Sequence, residues 1–157
     1  MNEIEIIKPD DWHVHFRDNK ILNAVVPETS RHFARAIIMP NLTPPILNGD
    51  QANEYKIRIQ NAIPKKDTFL PLMTLYLTEN TNKNELKNSY INGLVFAAKL
   101  YPAGATTNSE SGVKKIHNIM PILETMSEIG MPLLIHGEVT NKDIDIFDRE
   151  KEFIEKN

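Results

Sequence analysis

Two histidines separated by a single residue are the part of the sequence with the clearest chemical potential. His13 and His15 follow a run of alternating apolar residues at 4–7, which predicts a β-strand that leads into the pair. Because residues i and i+2 of a strand point to the same side, both imidazoles are expected on one face, with Arg17 if the strand continues. Paired imidazoles suit a zinc-type ion, and a guanidinium suits a carboxylate. Chance or local hydrogen bonding also produces this pattern, so other residues must separate the two interpretations.

The composition limits both the class of protein and the ligands available to a metal. With 157 residues, 41% hydrophobic and 25% charged, the chain is expected to form one globular domain over residues 1–157. A net charge of −3 gives nucleic-acid binding no electrostatic support. Cysteine is absent, so a metal would be held by histidine, carboxylate or a modified side chain. The chain begins without a signal peptide and has no apolar run near the ~18 residues of a membrane span, which predicts a cytoplasmic protein.

Strand-like and helix-like segments alternate along the chain. Strands are predicted at residues 4–7, 34–39, 68–77, 94–100 and 131–135, and helices at 21–33, 50–63, 82–92, 113–129 and 147–154. Pro27 is expected to interrupt or kink the first helix. This α/β order favours a parallel sheet with crossover helices. The length fits an open doubly wound sheet, because a complete (β/α)8 barrel needs roughly 200 residues or more. No glycine-rich loop follows the first strand, which argues against dinucleotide and P-loop sites.

Three further polar residues fall at the predicted carboxyl ends of later strands, where ligands bind in parallel α/β folds. They are Asn41, Lys99 and His136. Lys99 lies in an apolar strand and needs a partner or a modification, because removing an ammonium from water is costly. Alternatively, Lys99 extends to the surface and His136 is a hydrogen-bonded core residue. Their joint placement favours a site, whereas His32 and His117 fall on predicted helices and are expected to be ordinary surface residues.

The segment 101–112 is unusually long for a connection between a strand and a helix. It is rich in Gly, Ala, Thr, Ser and Asn, and spans twelve residues where ~2–6 are usual. Such loops are often mobile lids, and Thr106 and Thr107 are its clearest hydrogen-bonding residues. The alternative is a solvated Ω-loop without a role.

Together, the motifs closely resemble those of the dihydroorotases, in the shorter bacterial-type class of the amidohydrolase superfamily. The resemblance is carried by Asp-Asp-Trp-His-Val-His-Phe-Arg-Asp at 10–18, Met-Pro-Asn-Leu-Thr-Pro-Pro at 39–45, Ala-Lys-Leu-Tyr-Pro-Ala at 98–103, Ala-Thr-Thr-Asn-Ser at 105–109 and Leu-Ile-His-Gly-Glu at 134–138. It implies a (β/α)8 TIM-type barrel, of which this chain would be an N-terminal portion with about five of the eight βα units. Such a portion is expected to leave its first and fifth strands as open edges and to expose apolar surface.

The resemblance implies a centre of two zinc ions. His13 and His15 would ligate the first ion and His136 the second. Lys99, carboxylated on its amine by carbon dioxide, would bridge them. Carboxylation would turn a buried cation into an anionic oxygen ligand, which suits two dications. Another histidine ligand would lie beyond Asn157, so the second site would be incomplete in this chain.

The resemblance also implies a substrate and a reaction. Arg17 and Asn41 would hold a substrate carboxylate, and Thr106 and Thr107 would lie on the loop that closes over it. The reaction would be the reversible cyclisation of N-carbamoyl-L-aspartate to L-dihydroorotate in pyrimidine (UMP) biosynthesis, and the family suggests a homodimer. The general acid/base aspartate would lie beyond Asn157. No catalytic residue is therefore expected in this chain, which alone should be inactive.

Three other interpretations remain open at this point, of which a small doubly wound binding domain with incidental histidines explains the length best and the five motifs worst. Another cyclic amidohydrolase, hydantoinase-like or allantoinase-like, would use the same metal scaffold, although Arg17 and the paired threonines favour an acidic dihydropyrimidine. A non-catalytic fragment that acts through assembly would hold little zinc and would keep Lys99 as a free amine.

Overall fold

The computed structural model describes residues 3–156, in which strands and helices alternate as predicted. The strands are β1 (Asp10–Val14), β2 (Arg35–Ile38), β3 (Leu70–Leu72), β4 (Thr74–Tyr76), β5 (Ala97–Leu100) and β6 (Leu133–Ile135). The helices are α1 (Asn19–His32), α2 (Gly49–Ala62), α3 (Lys83–Ile91), α4 (Met120–Ile129) and α5 (Arg149–Lys156), with a 3-10 turn at Ile116–Ile119 before α4. No helix in residues 3–156 combines the length and apolarity needed to cross a bilayer.

The predicted third strand is divided at Met73 and serves two sheets. Its first half, β3, pairs with β2, and its second half, β4, pairs with β5. Where the first pairing ends, the hydroxyl of Thr74 donates to the carbonyl of Ile38 and continues the contact between the strands. The two three-stranded parallel sheets, β1-β2-β3 and β4-β5-β6, therefore follow one another as an arc of five strand positions.

The strand order separates the two architectures that the sequence left open. Strands follow chain order from one side of the arc to the other, without the reversal that defines a doubly wound sheet. Consecutive helices also contact one another, α1 with α2, α2 with α3 and α3 with α4. One-directional winding of this kind is the arrangement of a (β/α) barrel. The open doubly wound sheet, which the length favoured, is therefore wrong.

The first strand lies later in the sequence than predicted. Residues 4–7 form no strand, and Ile4, Ile6 and Ile7 are all highly exposed. Backbone pairing begins only where Ala34 donates to the carbonyl of Pro9, just before β2 starts. Apolar alternation alone is insufficient, because an extended segment needs a neighbouring backbone to become a strand. β1 ends at Val14, so Arg17 lies beyond the strand.

The helix boundaries follow capping residues. The side chain of Asn48 accepts from the backbone of Gln51 at the start of α2, and Asn82 caps α3, as predicted. Gly130 ends α4 with a φ of 68°, also as predicted. One prediction is wrong, because α4 begins at Met120 rather than at residue 113. α1 runs through Pro27, so the first of the two outcomes predicted there, an interruption, does not occur.

Two sides of the arc carry no further strand among residues 3–156. β1 pairs only with β2, and β6 pairs only with β5, so the predicted open edges are confirmed. Apolar side chains are exposed there: Trp12 is 55% exposed and Ile135 is 48% exposed. The core lies between the inner strands and the helices, with Tyr55 and Ile59 of α2 fully buried. The inner strand positions therefore have a paired strand on each side, whereas β1 and β6 are paired on one side only.

Candidate metal and carboxylate site

His13 and His15 converge at the end of β1, as their spacing predicts. Their Nε2 atoms are 3.1 Å apart and their ring centroids 5.1 Å apart. Two nitrogen ligands of a tetrahedral zinc ion, each about 2.0–2.1 Å from the metal, lie about 3.3 Å apart. The observed separation is therefore close to that of two ligands of one ion.

The surroundings keep both imidazoles in the form that binds a metal. Burial, followed by the charge of Arg17, lowers the pKa of His15 to about 4, and the nearby side chain of Asn41 acts in the opposite direction. Burial, followed by the charge of Lys99, also lowers the pKa of His13. The Nδ1 atom of His15 is buried without a hydrogen-bond partner. Neutral imidazoles with converging nitrogens fit a zinc-type ion.

Lys99 is buried at the carboxyl end of β5. It is only 2% exposed, so the alternative in which it extends to the surface is wrong. Its Nζ lies 5.3 Å from the centre of the Tyr101 ring, and no carboxylate within residues 3–156 forms an ion pair with it. Burial lowers the pKa of this amine. Lys99 is thus a buried amine beside two imidazoles, which favours its uncharged, nucleophilic form.

His136 follows β6 and points to a different partner. Its Nε2 lies 2.9 Å from a carboxylate oxygen of Glu138, whose other oxygen is 3.4 Å from Arg149. The His136 ring lies 6.2 Å from that of Tyr101. Nowhere in residues 3–156 do three side chains of His, Cys, Asp or Glu converge as a metal site. The structure brings together the first pair of predicted ligands but not the third histidine.

Arg17 and Asn41 meet beside the histidine pair. Arg17 Nη1 is 3.5 Å from the carbonyl oxygen of Asn41, and Arg17 itself has a φ of 59°. Its own carbonyl accepts from the hydroxyl of Tyr55 at 2.6 Å, which anchors this unusual backbone conformation. Arg17 and Asn41 are thus neighbours at the ends of β1 and β2, with the guanidinium against the backbone carbonyl of Asn41. Such a pair suits a carboxylate ligand.

The loop 101–112 is docked onto Asn41 rather than solvated. Nδ2 of Asn41 donates to the carbonyl of Thr107 at 2.9 Å, and Nδ2 of Asn108 donates to the carbonyl of Asn41 at 3.0 Å. Ser109 is fully buried and bonds both to the backbone N–H and to the carbonyl of Thr106. The predicted residues Thr106 and Thr107 therefore lie in a loop that is docked on Asn41.

Sequence reasoning missed several residues of this network. Tyr101 donates from its hydroxyl to Asn41 Oδ1 at 3.1 Å and stacks on Tyr76, with ring centroids 5.1 Å apart. A signal was available, because Tyr101 follows Lys99 by two residues, the same spacing that links the histidine pair. Glu138 follows His136 by the same two residues, but both lie beyond the end of β6, where the strand rule does not apply.

Comparisons with known proteins agree with this geometry. The Amidohydrolase family profile matches residues 6–157. A dihydroorotase from Ruegeria sp. is 58% identical over 98% of this chain and 44% of its own length. The crystal structure of a Campylobacter jejuni dihydroorotase superposes with a TM-score of 0.85 at 42% identity, over 94% of this chain and 42% of the other. A Saccharomyces cerevisiae dihydroorotase, solved in complex with 5-fluoroorotic acid, gives 0.83 at 34%, with the same coverage.

These matches confirm the predicted resemblance and the barrel type of the fold. The chain spans less than half the length of the relatives it matches, 44% of the Ruegeria protein. Its five strand positions correspond to part of a (β/α)8 barrel. The match of the family profile to nearly all of the sequence shows that this chain belongs to the amidohydrolase family.

Proposed function

We propose that this chain forms part of a zinc-dependent dihydroorotase, which interconverts N-carbamoyl-L-aspartate and L-dihydroorotate in pyrimidine biosynthesis. The observation that carries the proposal is the convergence of the His13 and His15 Nε2 atoms at 3.1 Å beside the Arg17–Asn41 pair. Relatives named dihydroorotase at up to 59% identity support it. A cytoplasmic location and a homodimer form part of the same proposal.

Four side chains are proposed to hold the metal. His13 and His15 would bind one zinc ion, and His136 would bind a second in exchange for its contact with Glu138. The uncharged amine of Lys99 would attack carbon dioxide, form an N–C bond and release a proton, and the resulting carbamate would supply anionic oxygen ligands for zinc. When bound, zinc acidifies water and polarises a carbonyl oxygen.

The other residues of the chain would bind and orient the substrate. The guanidinium of Arg17 and the amide of Asn41 would hold the substrate carboxylate through charge-assisted hydrogen bonds. The docked loop with Thr106 and Thr107 would shield the reacting ring from water. We assign no general acid or base to residues of this chain, and we expect the 157 residues alone to have negligible turnover.

Metal binding and lysine modification can be tested on the chain itself. We expect zinc to bind with the His117→Ala variant, altered on the exposed 3-10 turn, but far more weakly with His13→Ala. Intact mass after incubation with bicarbonate and zinc should reveal one added carbon dioxide, and Lys99→Ala should abolish it. A chain without zinc and with a free lysine amine would contradict the proposal and would favour a non-catalytic role in assembly.

Turnover requires a complete barrel. We would join this chain to the complementary segment of the Ruegeria relative and measure hydrolysis of L-dihydroorotate with zinc. Turnover that His13→Ala and Lys99→Ala abolish and His117→Ala preserves would support the proposal. A folded, zinc-loaded chimera that hydrolyses hydantoin or allantoin but not L-dihydroorotate would identify another cyclic amidohydrolase.

A further inference from the structure

Tyr101 contacts both Lys99 and Asn41, yet the proposed function gives it no role. The side chain is 1% exposed. Its ring centre is 5.3 Å from Lys99 Nζ, and its hydroxyl donates to Asn41 Oδ1 at 3.1 Å. The ring of Tyr101 therefore lies near Lys99, a proposed metal ligand, whereas its hydroxyl contacts Asn41, a proposed substrate-binding residue.

The hydroxyl of Tyr101 determines which way the amide of Asn41 points. The carbonyl oxygen of Thr107 can only accept, so the group facing it at 2.9 Å must be Nδ2 of Asn41. Oδ1 then faces Tyr101, whose hydroxyl donates to it. Asn41 is only 1% exposed, so water has little access to replace either contact. Two directional hydrogen bonds thus fix the orientation of this buried amide.

Tyr76 contacts both Tyr101 and the loop 101–112. Its ring stacks on that of Tyr101 at an interplanar angle of 28°. The hydroxyl of Tyr76 donates to the carbonyl of Asn108 at 3.3 Å, and the side chain of Asn108 donates to the backbone of Asn41. Loop docking and the orientation of Asn41 therefore depend on the same pair of stacked tyrosines.

We propose that Tyr101 is a positioning residue, whose hydroxyl aims the Asn41 amide at the substrate carboxylate and couples that aim to docking of loop 101–112. The inference rests on the proposed function, because it assigns a carboxylate to the Arg17–Asn41 pair. Without the hydroxyl, the buried Oδ1 of Asn41 loses its donor, and only the hydrogen bond from Nδ2 to Thr107 still orients the amide. Affinity for the carboxylate should fall, whereas contacts with the rest of the ligand should remain.

The test compares two substitutions that each remove a single hydroxyl. Tyr101→Phe keeps the ring and its stack on Tyr76. Tyr90→Phe removes a hydrogen bond to Gly130 at the outer helices and is the matched control. The zinc-loaded chain is titrated with L-dihydroorotate and with dihydrouracil, which lacks the carboxylate. Loss of one buried hydrogen bond predicts about tenfold weaker binding of L-dihydroorotate by Tyr101→Phe, with dihydrouracil changed by less than about twofold.

Hydrogen exchange supplies a readout that does not depend on the substrate. In Tyr101→Phe the backbone amides of Thr106 and Gly112 should exchange faster, whereas those of α2 should be unchanged and so report a retained fold. Tyr90→Phe should alter neither region.

Two results would overturn the inference alone. Tyr101→Phe binding L-dihydroorotate as tightly as the unsubstituted chain would remove the positioning role. Equal weakening of both ligands would indicate general structural damage instead. Failure of the zinc-loaded, unsubstituted chain to bind L-dihydroorotate would overturn the proposed function and this inference with it.

Discussion

The inner strands and the β6 edge of the arc position their polar residues to different degrees. At the centre, Asn41 follows β2 and Lys99 lies on β5, and each of these strands has a neighbour on both sides. Both residues are at most 2% exposed. At the edge, His136 follows a strand with one neighbour, retains a quarter of its side-chain exposure and contacts Glu138. Flanking strands thus fix the side chains of Asn41 and Lys99 before any ligand arrives, whereas His136 at the β6 edge is oriented by a nearby carboxylate.

The largest expected effect, on zinc binding, compares the converging histidine pair at the β1 edge with His136 at the β6 edge. His13→Ala removes one of two converging nitrogens and should weaken zinc affinity by at least about 100-fold, since outer-shell partners alone account for 10–100-fold. His136→Ala should weaken it less than about tenfold in this chain, because His136 does not join the pair in the structure. Calorimetric zinc titration measures both, with His117→Ala as the control. Equal losses at both positions would show that His136 contributes to zinc binding in this chain as much as the converging pair does.

A smaller effect is expected on stability in the absence of zinc. Lys99 is buried without an ion-pair partner, so Lys99→Met should raise the free energy of unfolding by about 1 kcal/mol or more. Glu138→Gln at the half-exposed edge should change it by less than about 1 kcal/mol. Urea denaturation in the presence of a chelator measures both variants. Destabilisation by Lys99→Met would mean that the amine has a stabilising partner in the folded chain.

The smallest effect is expected at the β1 edge, on the pH dependence of stability. The hydrogen bond from Arg35 lowers the pKa of Asp10 from its usual value of 3.8. The hydrogen-bonded pair therefore contributes its full stabilisation above the usual pKa of 3.8. This stabilisation is lost as the pH falls through the lower pKa that Asp10 has in the folded state. Asp10→Asn should therefore flatten the loss of stability on acidification.

The measurement for this edge pair is the urea midpoint at about pH 5 and about pH 3. Asp143→Asn, on an exposed turn, controls for the removal of one negative charge. Identical acid profiles for Asp10→Asn and the unsubstituted chain would show that the pair does not anchor β1.

The predictable parts of the molecule are those that local spacing determines. The i, i+2 rule placed His13 beside His15, and apolar strands with intervening helices gave the βα order. The start of β1 was not predictable in this way, because pairing depends on where Ala34 meets Pro9. The division of the third strand at Met73 also depends on its two neighbours.

The same limit applies to the site. Asn41 and Lys99 could be identified because polar residues at the ends of apolar strands are unusual. The role of Asn108 in fixing Asn41 depends on how a loop of twelve residues folds back. The contact between His136 and Glu138 also lies beyond the end of β6, so the alternation of side chains along a strand does not predict it.

The neck of loop 101–112 has a consequence for how the site can be altered. Pro102 and Val113 pair as a parallel bridge, and a side chain at Gly112 would meet the carbonyl of Tyr101 at 2.3 Å. At Gly104, by contrast, an added methyl group would meet no atom within 4 Å. The loop is therefore closed at its base and spacious at its tip. A side chain at position 112 should therefore force the neck open and loosen the loop from Asn41, whereas position 104 has room for a side chain but, at a φ of 79°, a backbone conformation that favours glycine.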